Sequence, residues 1–121
     1  MSAKPDPLAL PDGQSIAPET LAATFKALSD PNRLRLLFQL LGTGSGQNVG
    51  QAAGCCCVDL SVVSRHLSVL RRAGIITREK RGKEAVYCID RQQLPAILRS
   101  LADALESCCQ TPLDDLKENY R

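Results

Sequence analysis

Apolar residues recur at helical spacing along most of this chain. Leu21, Phe25 and Leu28 follow Pro18 three to four residues apart, which predicts a first helix with proline in its first turn, ending near Ser29. Asp30-Pro31 then reads as an N-cap with proline at the first helical position. It opens a second helix with an expected stripe of Leu34, Leu37 and Leu41. The Gly42-Thr43-Gly44-Ser45-Gly46 run ends it. Asn48 can cap a short third helix from Val49 to about Gly54, and Asp59 can cap a fourth that runs to Ala73, with Gly74 as its stop. In the fourth helix Val63, Leu67 and Leu70 point one way, while Ser61, Ser64, Arg65, Ser68 and Arg72 point the other. Period-two patterning then predicts strands at Ile75–Glu79 and Ala85–Ile89, joined through Lys80-Arg81-Gly82-Lys83. A last helix is expected from about Arg91 to Cys109, with Leu94, Leu98, Leu101, Leu105 and Cys108 in one seam.

The implied fold is mainly α with a small β-hairpin. Two helices joined by a short turn, the second with a small-polar and basic outer face, make a helix-turn-helix, and a basic hairpin after it makes a wing. The length of 121 residues suits one domain, here 18–109, between a flexible N-terminal arm (1–17) and an acidic C-terminal tail (110–121). Aromatics are only 3% of the residues and Trp is absent, so the core must come from aliphatic side chains. Such a small helical unit often gains stability by dimerising.

Charge sharpens the picture through its distribution. Asp59 to Lys83 holds seven Arg/Lys against two acids, whereas Ala102 to Arg121 holds five acids against two bases. A basic middle points to an anionic partner there. On the fourth helix Ser61, Ser64, Arg65 and Ser68 share one face. Short hydroxyls permit close approach to a major groove, and Arg65 can grip a guanine or a phosphate. Lys80, Arg81 and Lys83 would meet the DNA backbone or minor groove. The bland alternative is a solvated basic face, and the helix-turn-helix-wing order argues for the functional one. No run is long and apolar enough for a membrane span, and Met1 to Gln14 lacks a signal-peptide core, so a cytoplasmic protein is expected.

In that reducing setting six cysteines need a reason. Cys55, Cys56 and Cys57 are consecutive, Cys108 and Cys109 are adjacent, and Cys88 stands alone. Thiolates are soft ligands. Neither cluster can readily aim all its sulfurs at one ion, so the economical reading is a composite metal site drawing on both. The alternative is that Cys108 extends the apolar seam and the triplet packs as small hydrophobes. Cys88 reads as a strand residue packed in the core and a reserve ligand, and His66, the one histidine, as a packing or hydrogen-bonding residue. No phosphate loop, dinucleotide fingerprint or nucleophile elbow is present, so no catalytic residue is assigned and no enzyme is expected.

Three segments carry a resemblance: Phe25 to Arg35, with Ser29-Asp30-Pro31-Asn32-Arg33; Leu60 to Gly74, with Ser64-Arg65-His66-Leu67; and Arg78 to Tyr87, with Arg81-Gly82-Lys83. In this order and spacing they resemble the arsenic-repressor (ArsR/SmtB) family of metal-sensing repressors. The resemblance covers about residues 18 to 109. It implies a homodimer of winged helix-turn-helix subunits, joined through first and last helices, that binds double-stranded operator DNA. It also implies release when a metal or metalloid binds, with As(III) or Sb(III) as inducer and other soft metals as possibilities. The arsenic members' Cys-x-Cys-x-x-Cys run at the third helix is absent, since Asn48, Gly50 and Ala53 hold those positions. A relocated site at Cys55, Cys56, Cys57, Cys108 and Cys109 is the expectation. The competing expectation is a thiol-redox-sensing repressor in which the same two groups oxidise to disulfides.

Overall fold

The computed structural model describes residues 8–11, 13–55 and 59–107. The chain opens with a two-stranded ribbon, β1 (Leu8–Ala9) paired antiparallel with β2 (Ser15–Ile16), an element the sequence pattern did not announce. Then come α1 (Pro18–Leu28), α2 (Pro31–Leu41), α3 (Val49–Ala52) with a 3-10 turn over Ala53–Cys55, and α4 (Leu60–Arg72). The wing is β3 (Ile76–Arg81) with β4 (Glu84–Ile89), and α5 (Gln93–Ser107) follows. Among the described residues no helix is long and apolar enough to cross a membrane.

Capping explains most of the boundaries. Asp30 is extended and its carboxylate accepts from the amides of Asn32 (2.8 Å) and Arg33 (3.3 Å), so α2 starts where expected. Asn48 and Gln51 form a reciprocal capping box on α3. Asp59 differs from expectation: it holds the extended N-cap backbone of α4, but its side chain makes no cap hydrogen bond. The carboxylate of Asp90 accepts from Gln92 and Gln93, which sets the start of α5 two residues later than expected.

Gly74 ends α4 in the left-handed region (φ +78°), where the amides of Gly74 and Ile75 return to the carbonyls of Arg71 and Leu70. A Cβ at Gly74 would also run into the side chain of Gln93 on α5.

The core joins Ala27 of α1, Leu36 and Leu40 of α2, Ala52 of α3, Val63, Leu67 and Leu70 of α4, and Ile75, Ile76 and Tyr87 of the wing base. This corrects the expected α2 stripe. Leu36 and Leu40 are buried and Leu37 packs beside them, while Leu41 is exposed. Apolar residues occupy 34, 36, 37, 38, 40 and 41, so several faces of α2 satisfy a helical period. Packing against α4 and β4 decides between them.

Candidate nucleic-acid interface

The helix-turn-helix consists of α3 and α4, with residues 56–58 between them outside the described set. α4 presses Val63, Leu67 and Leu70 into the core at 0% exposure. Its opposite face is thereby fixed toward solvent. Ser61 and Arg65 are exposed, Ser64 and Ser68 half-buried, and Arg71 and Arg72 exposed at the C-terminal end. Arg65 makes no hydrogen bond or ion pair with any described residue.

Beside this face stands the wing, registered from Ile76 opposite Ile89 to Arg81 opposite Glu84, with Gly82-Lys83 as its two-residue turn. Lys80 and Arg81 therefore lie in β3 and only Lys83 sits at the tip, a correction to the expected four-residue loop. The ladder continues past Lys80 because its partner Ala85 is in register. Lys80 and Lys83 are exposed and unpaired among the described residues. Arg81 has a different position. Its guanidinium pairs with Glu79 and donates to the Ser45 carbonyl at 2.7 Å, so it braces the wing against the 42–46 loop.

Two more contacts hold the wing base, and hydrophobic periodicity carries no signal for either. Gln47 bridges Tyr87 through both backbone hydrogen bonds. The Asn48 amide donates to Glu84 at 3.2 Å, tying the cap of α3 to β4. Gly46 (φ +84°) lets the loop come this close, since a Cβ there would run into Cys88 Sγ and the Tyr87 carbonyl.

A third contact joins α4 to the α1–α2 corner. Arg33 donates through Nε to the Ala27 carbonyl at 2.6 Å and through Nη2 to the Lys26 carbonyl at 3.2 Å. Its Nη1 lies 3.4 Å from His66 Nδ1 on α4. Burial works to raise the nearby Asp30 carboxyl. The amides of Asn32 and Arg33 and the charges of His66 and Arg33 outweigh it and hold the group below the ordinary 3.8.

Most of the expected thiol site lies outside the described residues. Cys55 closes the 3-10 turn four positions before Asp59. Cys56, Cys57, Cys108 and Cys109 lie outside the described residues. Cys88 is half-buried and faces the 42–46 loop, where Sγ is 3.8 Å from the Ser45 carbonyl and 3.9 Å from Arg81 Nη2. It lies outside the central core cluster assigned to it by the strand pattern. Among the described residues no cluster of His, Cys, Asp or Glu is placed to hold a metal ion.

Known proteins share this arrangement. A helix-turn-helix domain family matches residues 28–79, from the end of α1 into β3. A probable mercury resistance operon repressor of Streptomyces lividans is 34% identical over 103 residues, covering 78% of this chain and 80% of the relative. The crystal structure of an ArsR-family transcriptional regulator superposes with a TM-score of 0.64 at 27% identity, over 77% of this chain and 94% of the other. That of a possible transcriptional regulator for arsenical resistance gives 0.60 at 30% identity, over 82% and 97%. With the winged helix-turn-helix in place and relatives of this similarity spanning most of their length, the chain belongs to the arsenic-repressor (ArsR/SmtB) family of transcriptional regulators.

Proposed function

We propose that the protein is a metalloid-responsive repressor, which binds operator DNA as a homodimer in the cytoplasm and releases it when As(III) or Sb(III) binds cysteine thiolates. The observation that carries the DNA half is α4. Its apolar stripe is sealed inside the subunit, which turns the Ser61, Ser64, Arg65 and Ser68 face away from the core. The wing beside it offers Lys80 and Lys83, positioned by the Arg81 brace. The hydroxyl-lined helix would enter the major groove with Arg65 as its base-reading or phosphate-gripping cation, and the lysines would neutralise backbone charge.

The inducer half is supported by donor chemistry and by the names of relatives, which speak of mercury and arsenical resistance. Cys55, Cys56, Cys57, Cys108 and Cys109 supply soft thiolates suited to a thiophilic ion. Their place in the chain suits a switch. The triplet adjoins the start of α4, and the pair follows directly on α5, which carries apolar side chains to the surface. An ion held by both groups would tie the DNA-reading helix to the helix expected at the dimer seam. Turning the binding-competent population from 99:1 to 1:99 takes about a 10⁴-fold preference of the ion for the released form, which several metal–thiolate bonds can supply.

Fluorescence anisotropy on a duplex selected from a randomised pool tests the reading. The reduced wild type should bind in nanomolar-range fashion and be released by arsenite. A variant with Ser at 55, 56 and 57, and another with Ser at 108 and 109, should each bind but ignore arsenite. Retained response after loss of either group would make the other group the sensor by itself. Release by peroxide but not by arsenite would favour the redox reading.

A further inference from the structure

Every apolar side chain in the interior of the α4 stripe is fully buried, yet the first residue of the helix, Leu60, is 57% exposed. Five other large apolar residues among those described are also exposed, Phe25, Phe38, Leu41, Leu98 and Leu105, and all lie on α1, α2 or α5. Leu60 is the one on the DNA-facing side. Helical side chains lean toward the N-terminus of their helix, so Leu60 projects off the leading end of α4, next to Ser61 and one turn ahead of Ser64. A single exposed leucine is unremarkable on a protein surface at large. At this position it is set among short hydroxyls, on the end of a helix that dips first into the groove in helix-turn-helix docking.

The base edges of the major groove are mostly hydrogen-bonding groups, and the apolar group that projects furthest into it is the 5-methyl of thymine. Serine hydroxyls donate and accept, so Ser61 and Ser64 discriminate weakly between bases. A leucine cannot pair with a polar edge and gains only where it meets a methyl. We infer that Leu60 is a specificity-determining residue, packing against the thymine 5-methyl group at one fixed position of each operator half-site. This inference rests on the DNA-binding reading proposed above and adds the base class that reading leaves open.

Deoxyuridine tests it, because it pairs as thymine does and lacks only the methyl. The full-length reduced protein selects a duplex from a randomised pool, and each thymine of that duplex is then replaced in turn by deoxyuridine. Wild type should lose about fourfold in affinity at one thymine per half-site, the value for one methyl-sized group withdrawn from water, and about sixteenfold with both half-sites changed. Leu60→Ala should bind the unmodified duplex about as weakly as wild type binds the doubly substituted one, and should lose nothing further at that thymine. Its unfolding midpoint should stay near wild type, since the side chain is exposed. The inference is overturned if no thymine methyl matters, or if Leu60→Ala keeps the same deoxyuridine penalty. Those outcomes leave DNA binding standing. A selection that enriches no duplex overturns the DNA reading and this inference with it.

Discussion

Helices α4 and α5 are both amphipathic, and they part company in what becomes of the apolar face. On α4, Val63, Leu67 and Leu70 are at 0% exposure. On α5, Ile97 is buried and Leu94 packs against the core, but Leu98 is 42% exposed and Leu105 70%. Beside α5 an open apolar groove of about 380 Å³ is lined by Leu8, Ile16, Pro18, Leu21, Leu101 and Ala104. The contrast separates two kinds of surface. The stripe of α4 is satisfied within one subunit, and beyond Leu60 at its first residue what the helix leaves outside is mainly hydroxyl and guanidinium, suited to an anionic polymer. α5 is not satisfied, and what it leaves outside is leucine, suited to another apolar surface. A second copy of the same chain offers one, in keeping with the dimer proposed here.

The largest effects should fall where this contrast is sharpest. Leu67→Ala removes a fully buried side chain and should cost about 2–5 kcal/mol in urea unfolding. Leu105→Arg should leave the isolated subunit folded and instead convert dimers to monomers by light scattering, because the arginine would have to enter an apolar contact. If the Leu105→Arg protein stayed dimeric at micromolar concentration, α5 would not be the seam. If Leu67→Ala proved as mild as a surface change, the sealed-stripe account of α4 would be wrong.

Within the DNA-facing half, two cations should separate by role. Arg65→Ala should weaken binding to the selected duplex by about 1–3 kcal/mol and relax base preference. Lys83→Ala, at the wing tip, should weaken selected and random DNA alike and flatten the salt slope by about one. Titrations on both kinds of DNA at several salt concentrations check this, and identical behaviour of the two variants would erase the distinction between reading helix and wing.

The parts legible in the sequence are those governed by local rules. Asp30-Pro31, Asn48 and Gly74 announce helix ends through caps, and the α4 stripe is unambiguous because its polar positions are strongly polar. The α2 stripe was not legible, since leucine and phenylalanine surround much of that helix and only its neighbours choose a face. The wing-tip boundaries slipped because a Lys-Arg pair looks like a loop when its ladder partners are unknown. The braces were invisible for a related reason. Arg81 to Ser45, Asn48 to Glu84 and Arg33 to His66 each span more than thirty residues, and no pattern in one chain pairs them. The cysteine clusters are plain in the sequence, and thiolate chemistry is what supports their joint use as one site.

The smallest effect lies where the α1–α2 corner meets α4. Asp30 caps α2, and its carboxyl sits close to Arg33, whose guanidinium reaches both the end of α1 and His66 on α4. Because its folded-state carboxyl is held below the ordinary 3.8, Asp30 adds stability that is fully present above that pH and fades as the pH falls through the folded value. Asp30→Ala should therefore lower the thermal midpoint at pH 7, and the gap to wild type should narrow as the solution is taken below about pH 4. Asp30→Asn keeps an N-cap acceptor but no charge. Its gap at pH 7 should be the smaller of the two, and the part due to charge should vanish in acid. Thermal melts of the three proteins between pH 7 and pH 2 decide the matter. An Asp30→Ala gap that persists undiminished at pH 2 would mean that the carboxylate charge at this corner contributes nothing to holding α1, α2 and α4 together.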